Sequence, residues 1–321
     1  MSVQTLKDLL FAMLKIRRVE EAIVRLYPAQ EMKCPVHLCI GQEAIPAGLC
    51  KSLNTEDLVF CSHRSHGYYV ARGGDLKAFI SELYGKLNGC SQGKGGSQHF
   101  SAPEVGILGS SAIVAGTIPI AVGTALSSLM QGKNIVTVVD FGDGATDEGV
   151  FYESLNFAAL RKLPVVFICE NNSYATHAHQ SSRQAKDNIF QKARVFGVAG
   201  MRINGNDVQE VFKSCSKAVH SARKGQGPVL IECMTYRWMG HVGVNYDYRL
   251  GYRTKKELTE GMKNCPIKAL KEVLFRKRIL KKSDLLKMSE KIDSEIQEAV
   301  SFAKISPAPH YTELLRDVYR T

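Results

Sequence analysis

The chain has 321 residues, 45% of them hydrophobic and 23% charged, with 42 Lys+Arg against 31 Asp+Glu for a net charge of +11. That composition excludes a disordered tail, a collagen-like fibre and a short disulfide scaffold. It allows one large or two smaller domains, and the basic balance admits nucleic acid, an acidic surface or an anionic substrate as partner.

From the N-terminus, residues 6–27 carry a helical pattern that includes Asp8, Glu20 and Glu21, which argues against a basic transit peptide. The first sixty residues read as two helices flanking a loop at 35–41. A glycine-rich stretch follows over 85–116, where Gly89, Gly93, Gly95, Gly96, Gly106 and Gly109 let backbone approach something closely or fold back on itself. Residues 119–129, rich in Ala, Gly and Ser, suit a tightly packed helix. Asn134 to Asp140 is a β-branched run of strand length, ended by turn chemistry at Phe141-Gly-Asp-Gly144. Asp147 and Glu148 then stand where a helix N-terminus prefers acids, and Val150, Phe151, Leu155, Ala158 and Ala159 give the helical period. Pro164 to Cys169 is a second buried strand, so the unit reads strand, crossover helix, parallel strand. Further strands are expected at 198–203 and 229–234.

The fold expected is α/β, a doubly wound, mostly parallel sheet with flanking helices over residues 1–250 and a helical extension over 251–321. Between Arg237 and Lys291 fifteen basic residues face six acidic ones, so most of the excess charge lies there. Arg276, Lys277, Arg278, Lys281 and Lys282 alternate with Leu274, Phe275, Ile279, Leu280, Leu285 and Leu286. This reads as one amphipathic helix with a solvated basic face, suited to an acidic protein partner rather than nucleic acid. Nine cysteines with no Cys-x-x-Cys pair and no secretory signal suggest reduced thiols in the cytoplasm. No apolar run approaches the ~18 residues a membrane helix needs.

Ligands of open parallel sheets bind beyond the carboxyl ends of the strands. Asp143 and Asn172 follow the two central strands directly, which brings a carboxylate and an amide oxygen to one edge. A hard cation such as Mg²⁺ accepts such oxygens and completes its shell with phosphate and water. Gly142 and Gly144 would admit diphosphate oxygens to the backbone, and the helix start near Asp147 adds its dipole. The look-alikes fail: Asp147 stands where Gly-x-Gly-x-x-Gly needs its third glycine, and there is no Walker loop, zinc spacing or His-Glu-x-x-His.

Gly142-Asp-Gly-Ala-Thr-Asp-Glu-Gly149, closed by Asn171-Asn172, resembles the thiamine diphosphate motif that opens with Gly-Asp-Gly and ends in Asn-Asn. His37-Leu-Cys-Ile-Gly-Gln-Glu-Ala44, His63-Arg-Ser-His-Gly67, Gly93-Lys-Gly-Gly-Ser-Gln-His99 and Lys162-Leu-Pro164 occur around it in the expected order. Together, and as far as Glu313-Leu-Leu-Arg-Asp-Val-Tyr319, the chain resembles the alpha subunit of the decarboxylating component of 2-oxo acid dehydrogenase complexes, of the pyruvate, branched-chain or acetoin type.

The resemblance implies thiamine diphosphate and Mg²⁺ as cofactors. It implies that Asp143, Asn172 and the Tyr174 carbonyl ligate the metal, that Gly144 and Ala145 line the diphosphate and that Arg64 grips phosphate. His63 takes the place of a cofactor-site residue often Tyr in relatives; Ala112 and Val114 would present backbone to the aminopyrimidine, with Ala102 near the same pocket. His37 and His241 would face substrate or the reactive carbon, so His37, His63 and His241 are the catalytic candidates. His66 would order its loop, Asp147 and Glu148 would cap a helix, and His177, His179, His220 and His310 would be surface residues.

Three departures from the family pattern stand out: Val242-Gly-Val-Asn245 after His241 where complex-forming relatives carry Ser, Pro35 and Val36 at the substrate pocket, and no candidate for the glutamate that activates the aminopyrimidine. In the family that glutamate comes from a beta subunit, which implies a two-alpha, two-beta heterotetramer. The function expected is decarboxylation of a 2-oxo acid, or cleavage of acetoin, with acyl transfer to lipoamide on a lipoyl-bearing acyltransferase. The alternatives are a decarboxylase or carboligase that does without lipoamide, and a non-catalytic basic binding protein.

Overall fold

The computed structural model describes residues 1–316, so the Asp317–Tyr319 end of the last motif lies outside the described residues. In chain order the elements are α1 (Val3–Leu26), α2 (Ala44–Lys51), β1 (Leu58–Ser62), α3 (His66–Ala71), α4 (Leu76–Leu83), β2 (Ile107–Ser111), α5 (Thr117–Met130), β3 (Thr137–Gly142), α6 (Gly149–Leu160) and β4 (Val165–Asn171). They continue as β5 (Tyr174–Ala175), β6 (Ala178–His179), α7 (Gln180–Arg183), α8 (Ile189–Val195), β7 (Ala199–Asn204), α9 (Val208–Arg223), β8 (Val229–Met234), α10 (Lys255–Lys263), α11 (Pro266–Arg276) and α12 (Lys282–Ile305).

Six strands form one sheet in the order β2-β1-β3-β4-β8-β7, and every pairing in it is parallel. The central strands are buried along their whole length because their side chains alternate between two cores. Val138, Val166 and Ile168 join the cluster built on α1, α2 and α9, while Val139, Phe141, Val165, Phe167 and Cys169 join the one built on α5, α6 and α8. A period of two with apolar residues on both faces is what a doubly covered parallel strand requires. The chain runs outward from β1 to β2 on one side and from β3 through β4 on the other, so the sheet reverses direction between β1 and β3. The crevice above that point is where such sheets bind ligands.

The structure corrects several expectations. Beyond the two N-terminal helices, residues 58–62 form strand β1, and 107–111 of the glycine-rich stretch form β2. Neither run has the length or β-branched density of β3. The basic amphipathic helix expected across 274–286 is two helices, because α11 ends at Arg276 and α12 starts at Lys282. Arg278 takes a left-handed turn there (φ 56°), and the apolar pairs at 274/275, 279/280 and 285/286 are spaced too widely for one helical stripe. Asp147 ends a 3-10 turn instead of starting a helix, and Glu148, the N-cap residue of α6, caps it with no side-chain bond.

The glycine-rich stretch folds back on the chain's own carboxylate. Glu82, at the end of α4, accepts from the backbone N–H groups of Ser91, Gly93, Gly95 and Gly96 at 2.8–2.9 Å. Helix α12 packs on α1 and α4, and its Ile292, Ile296, Ala299 and Ala303 belong to the same buried cluster as α1. All nine cysteines are free, and no described helix is long and apolar enough to cross a membrane.

Candidate active site

A cavity with about 910 Å³ of empty space, its open mouth included, lies at the carboxyl ends of β1, β2, β3 and β4. The register explains its membership: Ser62 pairs with Ser111 and Gly142 with Glu170, so the residues that follow these strands emerge at one level. Of the expected site residues, His37, His63, Arg64, Ala112, Val114, Asp143, Gly144, Ala145, Asn172, Tyr174 and His241 all line it. Ala102 does not: it is buried beside β2, where its backbone exchanges two hydrogen bonds with Ile107.

One wall is acidic and polar. Asp143 is 1% exposed, and burial pushes its carboxyl above the usual range against the pull of Arg183. The Arg183 guanidinium bridges Asp143 and Asp147. Asn172 accepts at Oδ1 from the Tyr174 backbone N–H (3.2 Å) and donates from Nδ2 to Gln42 Oε1 (3.0 Å). Ser173, in the turn between Asn172 and Tyr174, and Thr176, in the turn between β5 and β6, both take the left-handed region. An ideal Cβ built on Gly142 meets nothing within 4 Å, so the floor beside Asp143 is open backbone.

Behind Asn172 runs a buried chain of groups. Gln42 donates to Glu170 at 2.6 Å, Tyr68 Oη contacts both Glu170 (2.6 Å) and Asp140 (3.0 Å), and Ser62 donates to Asp140 at 2.9 Å. Tyr68 has one proton for two carboxyl neighbours. Burial, reinforced by the Asp140 charge, pushes Glu170 well above its ordinary value, while burial moves Asp140 to about 6.

Another part of the lining is imidazole. His37, His63 and His241 stand with ring centroids 4.8, 5.2 and 5.2 Å apart. Burial first, and Arg64 second, depresses them to about 3, 2 and 3 respectively, so all three rings are neutral at physiological pH. Arg64 is buried and donates to the carbonyls of Leu38 (2.5 Å) and His241 (3.3 Å). Burial and nearby Arg237 lower its guanidinium to about 10. A buried cation donating to two carbonyls is placed to receive an anion.

The loop that carries His37 is pinned from α1. Glu20 accepts from the Cys39 N–H at 2.8 and 2.9 Å and from the His66 ring at 3.1 Å, and His66 also contacts Ser97 at 2.7 Å. His66 thus orders its loop as expected, and His177, His179, His220 and His310 are exposed. Sequence reasoning gave no role to Gln42, Glu170 or Arg183. Gln42 stands inside a quoted motif and Glu170 directly precedes the Asn171-Asn172 pair; Arg183 ends the four-residue helix α7, too short to leave a periodic signal.

Comparison with known proteins identifies the family. The model of the dehydrogenase E1 component family matches residues 12–312. The chain is 38% identical over 312 residues to the alpha subunit of acetoin:2,6-dichlorophenolindophenol oxidoreductase of Bacillus subtilis (strain 168), covering 96% of this chain and 91% of the relative. It is 38% identical over 309 residues to the chloroplastic pyruvate dehydrogenase E1 component subunit alpha-3 of Arabidopsis thaliana, covering 94% and 72%. With the pyruvate dehydrogenase E1 component subunit alpha of Rhizobium meliloti (strain 1021) it shares 34% over 307 residues, covering 95% and 87%. The chain belongs to the dehydrogenase E1 component family and is an alpha-type chain of it.

Proposed function

We propose that the chain is the alpha subunit of an oxidoreductase that decarboxylates a 2-oxo acid, or cleaves acetoin, with thiamine diphosphate and Mg²⁺ and passes the acyl group to lipoamide on a partner protein. The observation that carries this reading is the meeting, in one cavity, of the Asp143–Asn172 oxygen pair with three neutral histidines.

The residues fit the cofactors. Asp143 already holds a cation, the Arg183 guanidinium, beside the open backbone of Gly142. Asp143, Asn172 and the Tyr174 carbonyl would hold Mg²⁺, with Gly144, Ala145 and Arg64 toward the diphosphate and the backbone of Ala112 and Val114 toward the aminopyrimidine. The thiazolium ring, when bound, serves as the electron sink for the carbanion that decarboxylation leaves. His37, His63 and His241 each present, while neutral, one N–H donor and one lone pair, which suits them to orient a substrate carboxylate through the N–H and to accept a hydrogen bond at the other ring nitrogen. Exposed Ile113 and the flanking loop would exclude water once covered by another chain.

A second chain is required on this reading. The acids among the described lining residues are Asp143 and Glu170, and both are committed to partners within the chain. The carboxylate that activates the aminopyrimidine would then come from a beta-type subunit, in a two-alpha, two-beta assembly. Free cysteines throughout suit a cytoplasmic setting. The test is isothermal titration of the alpha–beta pair with thiamine diphosphate and Mg²⁺, followed by acylation of a lipoyl domain with a panel of 2-oxo acids and acetoin. Binding lost in Asp143→Ala together with acyl-lipoyl product supports the proposal. Turnover without lipoyl acylation would favour a lipoamide-independent decarboxylase or carboligase, and absence of cofactor binding would leave only a binding protein.

A further inference from the structure

The three histidines converge from three separate stretches of chain: the loop before α2, the end of β1 and the segment after β8. Ligand nitrogens of all three lie within 4.8 Å of one another. A tetrahedral dication held by imidazole nitrogens at ~2.0–2.1 Å places ring centroids about 5 Å apart. The centroid separations of 4.8, 5.2 and 5.2 Å already match that spacing, so rotation of the rings about their side-chain bonds is the main adjustment left.

The ring nitrogens are also uncommitted. Among the described residues those of His63 and His241 have no hydrogen-bond partner, and those of His37 have only the Gln98 amide at 3.4 and 3.5 Å, at the weak limit of such a bond. A neutral imidazole with a free lone pair is the ligand state zinc-class ions require.

We propose that His37, His63 and His241 form a binding site for a transition-metal dication of the zinc class, with three imidazole ligands and a fourth position open to the cavity. The site is separate in kind from the Asp143–Asn172 pair of the same cavity, whose oxygen donors suit a hard ion. It is a reversible site, not a structural one. Arg64 places positive charge beside the trio, Arg237 adds a charge already paired with Asp247, and among the described residues no carboxylate receives the outer N–H of any of the three rings. A bound ion would occupy the same imidazole face that the proposed reaction needs, so the dication acts as an inhibitor that a chelator reverses. Ion binding by the trio stands independently of that reaction.

Co²⁺ is the probe, added to the tag-free, chelator-treated full-length chain without thiamine diphosphate or Mg²⁺. The expected result is the intense visible absorption of four-coordinate Co²⁺, saturating at one ion per chain and erased by one equivalent of Zn²⁺. His63→Tyr should remove it or weaken binding at least tenfold, as should His241→Gln, both with wild-type circular dichroism. Asp143→Asn should leave it unchanged. The faint absorption of six-coordinate Co²⁺ in the wild type, a four-coordinate spectrum that survives in folded His63→Tyr and His241→Gln, or its loss in folded Asp143→Asn would each overturn the proposal.

Discussion

Gln42 Oε1 accepts a hydrogen bond from Asn172 Nδ2 at 3.0 Å, and this contact decides which atom Asn172 offers to the cavity. Gln42 Nε2 donates to Glu170, so its oxygen is the end left for Asn172. Asn172 must therefore turn its nitrogen toward Gln42 and its oxygen toward the Tyr174 turn. Groups that orient a metal ligand typically change metal affinity by 10–100-fold when removed. Gln42→Leu should weaken Mg²⁺ binding by about that factor in the presence of thiamine diphosphate, measured by titration, while Gln42→Glu should weaken it further by placing a second acid against Glu170. Unchanged Mg²⁺ affinity in folded Gln42→Leu would show that Asn172 is oriented by the turn alone.

Arg183 pairs with Asp143, the residue proposed to hold Mg²⁺, and also bridges Asp147. A metal that takes Asp143 has to displace it, so the same pair that stabilises the cofactor-free chain competes with loading. Arg183→Met should raise Mg²⁺ affinity several-fold. It should also lower cofactor-free stability by about 1–3 kcal/mol, less than for a fully buried pair because Arg183 keeps some solvent contact. Urea unfolding with and without cofactor reads both effects. A variant that loses stability and affinity together would assign Arg183 to holding the site open instead.

Glu82 carries the glycine-rich segment. Four backbone N–H groups point at its two carboxylate oxygens, and an added Cβ would collide with Glu82 Oε2 from Gly89 and with the His99 carbonyl oxygen from Gly95. Glu82→Ala leaves those donors without their acceptor. At roughly 1–3 kcal/mol for each buried unsatisfied group, partly relieved by water entry, the expected loss is about 3 kcal/mol or more. Hydrogen exchange should localise the change to residues 89–99, and Gln98 at the cavity rim should move with them.

The central part of the fold was legible because β3 and β4 are buried on both faces, which forces continuous apolar runs ended by Gly142-Asp143 and Asn171-Asn172. Strands β1 and β2 were not: five-residue strands carrying Cys61, Ser62 and Gly109 leave no such run. At the site, Asp143 and Asn172 could be placed from strand ends alone. Gln42 and Arg183 could not, since their contacts bridge 130 and 40 residues and depend on how loops fold over the sheet. The resemblance supplied most of the remaining lining. Ala102 is the one expected residue outside that lining, and its backbone pairs with Ile107.

The neutral histidines make an acid-side signature. In the fold His37, His63 and His241 are depressed to about 3, 2 and 3, whereas an unfolded histidine titrates near ~6.5. Below that value the unfolded chain binds protons the folded chain refuses, so stability is fully present above about pH 6.5 and falls as pH drops toward the folded values. His63→Phe removes one such proton and should flatten the slope of stability against pH between 6.5 and 4, measured by urea midpoints at a series of pH values. In the folded wild type the ring carbon resonances of these three histidines should not titrate between pH 5 and 8. A His63 ring that titrates near 6 would mean the cavity is wet enough to charge it, and the neutral-donor role proposed for the trio would fail with it.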